Sequence, residues 1–534
     1  MATAAVPRTN RRFELRAPDA LLAAAALIVL TAVSIYVRTR SISGSFWMDE
    51  GLSVGIASHD LMDIPGVLRQ DGSPPLYYMG LNLWMDAFGR TETAVHWFSL
   101  IFSLLTIPAA MWAGWSLWGK RAGYIGAAIC ALNPFLTSYG EEARMYSLMA
   151  LLALLATACF LHAYVYRRGR VYVVLFAVFQ TLMLYTHGWG IFYGLAAFAA
   201  LLLLWWRSEE RRALAIDGLA AFTAAAILFL PWLPTLLFQS AHTAAPWGRA
   251  PRFGAPIQIS RDLMGGDRAS IVMLLVGGFG LATALQAHKD RHDGERLSIW
   301  VLLLIPVTTL VIAWIVSQIT PAWVSRYFAV ALAPLLLVTA LGFARARVLG
   351  LVALAVLAVF WINPRPFVDG YKSDVRDIGA EAGSQMRPDD LVITGQPEQT
   401  PLAWYYLPAG LRYADSAGPV DEPRHMDWVD AMDRYEAAQP RDVLPPLLAS
   451  LRPGQKVLFM RPLTEGVENW SAPWTQLARR RSAQIGAILQ AESRPGGTLR
   501  QIDVAPQFYR GASTVGNVGI LYEKVRDQPA TQVP

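Results

Sequence analysis

The sequence predicts an α-helical polytopic membrane protein that ends in a smaller α/β domain. Three observations carry that expectation. Of 534 residues, 54% are hydrophobic and only 16% are charged, where a soluble domain carries about a quarter charged residues; mean hydropathy is +0.33. The apolar residues fall in runs approaching the roughly 20 residues that cross a bilayer. These runs stop at residue 362, where Asn363-Pro364-Arg365-Pro366 cannot continue a helix.

In chain order, residues 1–16 are polar and basic, with Arg8, Arg11, Arg12 and Arg16. No small-residue cleavage site follows, so the first apolar run is expected to be an anchor. Eleven spans are expected: 20–37, 94–118, 121–138, 146–166, 171–186, 190–206, 213–233, 269–287, 297–316, 327–343 and 348–362. A twelfth apolar stretch, 76–89, is short and contains Asp86. If it lies in the interface instead of spanning, every basic cluster falls on the side of the N-terminus: Lys120-Arg121, Arg167-Arg168-Arg170, Arg207 to Arg212, His288 to Arg296, and Arg345-Arg347. The positive-inside rule then puts the N-terminus in the cytoplasm and makes 38–93 a large extracytoplasmic loop with juxtamembrane helices.

Residues 363–534 are expected to form an extracytoplasmic α/β domain, since about 170 residues can hold their own core. Residues 391–394, 457–460 and 519–522 read as buried strands, 374–386 and 476–490 as helices, and the tail from Asp527 as disordered. Cys130 and Cys159, the two cysteines, sit in apolar runs and read as small core residues. Nothing in the charge distribution suggests nucleic-acid binding, and neither G-x-x-x-x-G-K-[ST] nor a helix-opening G-x-G-x-x-G occurs.

On this topology the unusual polar groups gather at the outer face. They are Asp49-Glu50 in Ser45-Phe46-Trp47-Met48-Asp49-Glu50-Gly51, the Asp71-Gly72-Ser73-Pro74-Pro75-Leu76-Tyr77-Tyr78 stretch, Glu141-Glu142-Ala143-Arg144-Met145-Tyr146, His187, and Arg326-Tyr327. Taken singly, each has a bland explanation: a helix cap for Asp49 and Glu50, a surface pair for Glu141 and Arg144, a snorkelling end for Arg144 or Arg326, an interfacial histidine. A shared sidedness of carboxylates, arginines and a histidine points instead to a site.

Trp47-Met48-Asp49-Glu50, Pro74-Pro75-Leu76-Tyr77-Tyr78, Gly119-Lys120-Arg121-Ala122-Gly123, Asn133-Pro134-Phe135, Glu142-Ala143-Arg144-Met145-Tyr146 and Thr186-His187, in this order, resemble the polyprenyl-phosphate-sugar-dependent glycosyltransferases of GT-C fold. The likeness is to bacterial members of glycosyltransferase family 39, a group that includes protein O-mannosyltransferases and the lipid A aminoarabinose transferase. It covers residues 20–200 well and is patchy beyond, apart from Arg326-Tyr327. Ser73 stands where the family usually has His before the Pro-Pro pair. The resemblance implies inverting sugar transfer from a lipid-linked sugar phosphate at the outer face of a bacterial cytoplasmic membrane. It implies that Asp49 is the catalytic aspartate and that Arg144 and Arg326 contact the donor phosphate.

The chemistry fits that expectation. A carboxylate can take the proton of an acceptor hydroxyl, and inversion needs no second carboxylate as nucleophile. Arginines suit a leaving phosphate, with Tyr146, Tyr327 and His187 as candidate hydrogen-bond partners. Glu50 can orient Asp49, bind acceptor or hold a divalent cation, which carboxylates and phosphate together attract but which nothing in the sequence demands. Glu141, Glu142 and Tyr77 are candidates on the acceptor side, where an envelope glycan, glycolipid or protein hydroxyl is expected. The rivals are a phospho-group transferase, a transporter of the lipid-linked sugar, and a non-catalytic polysaccharide-binding membrane protein. The absence of an internal repeat argues against transport.

Overall fold

A computed structural model describes residues 17–243, 248–287, 293–362, 372–463, 472–506 and 516–527. The basic N-terminal stretch, the Pro364–Pro366 break and the tail after Asp527 lie outside the described residues.

Among the described residues, eight helices are long and apolar enough to cross a membrane, and Arg170–Thr186 and Val348–Ile362 are shorter apolar helices. The chain is a multi-pass membrane protein. The expected span 121–138 does not form one helix: Lys120–Leu132 ends and Pro134–Gly140 begins anew. Asn133 causes the break, its Oδ1 accepting from the Leu136 N–H at 3.1 Å ahead of a proline at the first helical position. The expected span 213–233 is part of a longer one, because Arg211–Phe229 runs through a tight turn at Leu230–Trp232 into Leu233–His242. Residues 76–89 form a separate helix, Leu76–Phe88. Ahead of it come Met48–Ala57, here called the acidic helix, and Ile64–Asp71.

Each crossing reverses direction. The acidic helix, residues 141–145, His187, Arg326 and the C-terminal region therefore share one end of the bundle. Tyr146–Phe160 and Ala329–Arg345 are buried along nearly their whole length. They form the bundle centre, which places Tyr146 and Arg326 near the middle of that end.

The C-terminal region holds a six-stranded mixed sheet of β1 (Leu391–Thr394), β2 (Arg412–Asp415), β3 (Gly418–Val420), β4 (Lys456–Pro462), β5 (Leu499–Ala505) and β6 (Asn517–Lys524). The spatial order is β3-β2-β1-β4-β6-β5. β1 lies parallel to β2 and β4, and the remaining pairs are antiparallel. The three strands expected from apolar runs are β1, β4 and β6; β2, β3 and β5 are short or half-exposed and carry no such run. Helix Pro473–Glu492 covers one face, burying Ile485 and Leu489 against Ile393, Val457 and Phe459.

Candidate functional site

The site begins with the acidic helix and its lack of freedom. The Trp47 N–H donates to Glu50 Oε2 at 3.2 Å, closing the first turn on itself. A Cβ at Gly51 would lie 2.7 Å from the Leu402 Cα, so glycine is what lets helix Thr400–Tyr406 press against the acidic helix. Further ties come from the same region. The Phe46 N–H donates to Tyr406 Oη at 2.8 Å, Ser45 Oγ to the Ser373 carbonyl at 3.0 Å, and Ser373 Oγ to the Phe46 carbonyl at 2.6 Å.

Asp49 and Glu50 are neighbours with opposite surroundings. Glu50 is fully buried. Its Oε1 accepts from Lys372 Nζ at 2.7 Å and the Ala143 N–H at 2.9 Å, and lies 2.8 Å from His96 Nε2. Burial alone raises this carboxyl, but the Lys372 charge and His96 outweigh it and hold Glu50 at about 2. Asp49 instead keeps 19% of its side chain exposed, and its Oδ2 lies 3.0 Å from Arg326 Nη2.

Arg326, on the turn Ser325–Phe328, donates from Nε to Tyr146 Oη at 3.0 Å and lies over the rings of Trp47 and Tyr327. Arg144, on the loop before Tyr146, is 8% exposed. Its Nη1 reaches Tyr78 Oη at 3.2 Å, Ser53 Oγ at 3.2 Å and the Asp49 carbonyl at 3.3 Å, while its buried Nε makes no hydrogen bond. Burial would lower the Arg144 value, yet Tyr78, Tyr146, Asp49 and Asp71 raise it well above the ordinary one. His187 accepts at Nδ1 from the Trp189 N–H at 3.1 Å, so its proton sits on Nε2. Burial, with Arg144 and Arg326 close by, holds it down at about 3, as a neutral donor. Its ring packs 4.7 Å from that of Tyr327 and 6.2 Å from that of Tyr146.

Of the residues singled out in the sequence, Asp49, Arg144, Arg326, Tyr146, Tyr327 and His187 come together. Glu142 joins them, with one buried oxygen lacking a hydrogen bond. Burial, then the Glu50 charge, pushes its carboxyl up to about 7. Glu50 faces the protein interior. Glu141 turns away, its Oε1 accepting from the Ser41 N–H at 3.0 Å, and burial pushes it up to about 7 as well. Tyr77 is fully buried, its hydroxyl 2.7 Å from Ser99 Oγ, which in turn donates to the Arg144 carbonyl at 3.1 Å. It supports the loop from behind; its neighbour Tyr78 is the tyrosine that meets Arg144. Helical geometry explains the swap, since consecutive residues point about 100° apart.

Sequence reasoning missed Lys372, His96, Ser53 and Glu398, and placed Asp71 among the outer-face polar groups without giving it a role. Asp71 is 7% exposed, and burial raises its carboxyl while Arg144 opposes this. Glu398 follows β1, with Oε1 accepting from Trp474 Nε1 at 2.9 Å and Oε2 buried without a hydrogen bond. Beside it Gln396 Nε2 reaches Met48 Sδ at 3.6 Å. No local pattern marks these residues; chain topology alone brings them together. Among the described residues, three metal-ligating side chains cluster at one place, His59, Glu422 and His425, near the far end of the acidic helix from Asp49.

No protein-family model matches the sequence, and no curated protein matches it. Solved structures do match in three dimensions. ArnT from Cupriavidus metallidurans in the apo state superposes with a TM-score of 0.63 at 13% identity, over 94% of this chain and 98% of that one. ArnT from the same organism bound to undecaprenyl phosphate gives 0.56 at 13% identity, over 93% and 98%. The archaeal oligosaccharyltransferase AglB from Archaeoglobus fulgidus, in complex with an inhibitory peptide and a dolichol-phosphate, gives 0.53 at 11% identity, over 88% and 72%. ArnT and AglB are GT-C glycosyltransferases. The chain, with its helical bundle, its acidic first loop and its C-terminal mixed sheet, has the GT-C fold.

Proposed function

We propose that this protein is an inverting glycosyltransferase that moves a sugar from a polyprenyl-phosphate donor to a hydroxyl on a cell-envelope glycan, glycolipid or protein, at the outer face of the cytoplasmic membrane. The observation that carries this reading is the meeting of Asp49 with Arg326, and of Arg144 beside them, from three distant chain segments at one end of an apolar bundle. Solved structures of the same fold hold polyprenyl lipids: undecaprenyl phosphate in ArnT, dolichol-phosphate in AglB.

Asp49 acts as the base toward the acceptor hydroxyl. Arg326 carries five N–H donors, so its contacts to Tyr146 and Asp49 leave donors for phosphate oxygens. Arg144 contributes the second cation, and its unpartnered Nε is a donor that an anion satisfies. Tyr146, Tyr327 and neutral His187 line the same corner and can donate to the leaving phosphate. Glu50 touches no reacting group in this scheme. It fixes the acidic helix between Lys372, His96 and Ala143, and so aims Asp49. The C-terminal region reaches the acidic helix through Gln396, which meets Met48, and beside it the buried, unpartnered Glu398 Oε2 suits a hydroxyl of an incoming acceptor.

The test is product analysis. Purified protein, supplied with a polyprenyl-phosphate sugar and envelope extract, forms a new glycosidic bond, and Asp49→Asn abolishes it while remaining folded. Release of lipid phosphate without a new glycosidic bond overturns the proposal in favour of a phospho-group transferase.

A further inference from the structure

We propose that His59, Glu422 and His425 form a zinc site that clamps the C-terminal region onto the acidic helix. The three residues come from two sides of that contact, His59 just after the acidic helix and the other two from the segment following β3. One ligand atom from each lies within 4.8 Å of the other two.

The hydrogen bonding leaves the right lone pairs. His59 is 8% exposed, and its Nδ1 faces the carbonyls of Gly55 and Ile56, each at 3.1 Å. Carbonyls only accept, so Nδ1 carries the proton and Nε2 carries the lone pair. That Nε2 is buried and makes no hydrogen bond; Glu422 Oε2, at 3.6 Å, is too far for one. His425 repeats the arrangement with its nitrogens exchanged. Nε2 donates to Gln70 Oε1 at 3.1 Å, leaving Nδ1 as the lone-pair nitrogen, also buried without a partner.

Two imidazoles, each with its other nitrogen held by a carbonyl or amide oxygen, plus one carboxylate, are a ligand set and supporting shell that zinc takes. The fourth position of a tetrahedral ion is left for water. Bonds of about 2.0–2.1 Å set tetrahedral ligand atoms roughly 3.4 Å apart; His59 Nε2 and Glu422 Oε2, at 3.6 Å, are already near that separation, and the widest pair, within 4.8 Å, closes by at most about 1.4 Å. Glu422 can coordinate through Oε2, now 2.6 Å from Arg424 Nη2, while Oε1 stays with Arg424 Nε at 2.8 Å. The backbone around the site is already fixed. A Cβ at Gly55 would lie 1.9 Å from the Arg424 carbonyl oxygen, Arg424 Nη1 donates to the Ser58 carbonyl at 3.1 Å, and Asn82 Nδ2 holds the His59 carbonyl at 3.1 Å. Ten residues along a helix separate His59 from Asp49 by about 15 Å, so this ion has no part in the transfer chemistry.

The test is metal analysis of the full-length protein in nanodiscs, stripped with chelator and reloaded with Zn²⁺ alone or Co²⁺ alone. About one zinc per chain is expected, together with the visible absorption of low-symmetry, imidazole-ligated Co²⁺ and a rise in the melting temperature on loading. Glu422→Gln and His425→Gln keep the shape of the contact. Each is expected to weaken metal binding by tenfold or more while melting like the chelated wild type. Asp49→Asn keeps its zinc. A wild type that retains no stoichiometric zinc, equal zinc in His425→Gln, or loss of zinc in Asp49→Asn each overturns the proposal.

Discussion

The two ends of the helical bundle treat charge differently. At the end away from the acidic helix, ionisable side chains form small ion pairs between helices. Lys120 meets Asp19 at 2.5 Å, Arg167 meets Asp217 at 2.9 Å, and Arg345 meets Glu295 through two nitrogens. Lys120 is about half exposed, so its pair stabilises little, whereas Asp217 and Glu295 keep only 12% and 10% of their side chains exposed. At the other end Asp49, Glu50, Asp71 and Glu142 share the cations Arg144, Arg326 and Lys372 in one buried cluster. There some groups are saturated, as Glu50 is, and others keep capacity, as Arg144 Nε and one oxygen of Glu142 do. Charge at one end is used to finish helices; at the other it is held ready for a partner.

The largest effect is expected from Asp49→Asn, which removes the proposed base without changing shape. Transfer should fall by about 10²–10⁴, read as product formed per unit time, with the melting temperature nearly unchanged. Arg326→Lys comes next. It keeps a charge but not the fork that spans Tyr146, Asp49 and phosphate, so turnover should fall by about 10²-fold. Lys372→Met works through stability: it leaves Glu50 buried with one cation fewer. Removing one partner of a buried pair costs about 3–5 kcal/mol, measurable by thermal unfolding, and Lys372→Arg should recover part of it.

The fourth prediction concerns pH. Glu142 titrates at about 7 when folded and near its ordinary value of 4.5 when unfolded. Its protonated form is the one the fold favours, so this contribution is complete below about pH 4.5 and is lost as pH rises toward 7. Glu141 has the same sign. Glu50, held at about 2 against an ordinary 4.5, has the opposite sign: its contribution is present above 4.5 and lost as pH falls toward 2. Glu142→Gln should therefore flatten part of the fall in melting temperature between pH 4.5 and 7, and the double change with Glu141→Gln should flatten more. The smallest effect is expected from Lys120→Gln at the far end, where Lys120 is 53% exposed, within about 1 kcal/mol and without loss of transfer. A large loss there would erase the contrast between the two ends.

How far the sequence reveals this design depends on the kind of contact. Apolar runs reveal helices, so most spans could be read directly, while Asn133 splits one by a side-chain cap that hydropathy does not register. In the C-terminal region, β1, β4 and β6 are buried and apolar and could be read as strands; β2, β3 and β5 lie at or near the sheet edges and read as loop. At the candidate site, Asp49, Arg144, Arg326 and His187 are legible only in combination, because the expected topology puts carboxylates, arginines and a histidine at one face. Lys372 and Glu398 are not. They lie in a mixed polar stretch; Lys372 finds Glu50 only through the docking of the C-terminal region on the first loop, and Glu398 finds Trp474 only through the fold of that region. Neighbouring residues also mislead: Glu50 and Tyr77 stand beside Asp49 and Tyr78 in the chain but face the interior.

The most direct test of the central claim is a structure of the protein with undecaprenyl phosphate bound in nanodiscs. The account predicts phosphate density within hydrogen-bond reach of both Arg144 and Arg326, with the lipid tail leaving between helices. A phosphate bound elsewhere, with Arg326 still paired to Asp49 alone, would contradict it.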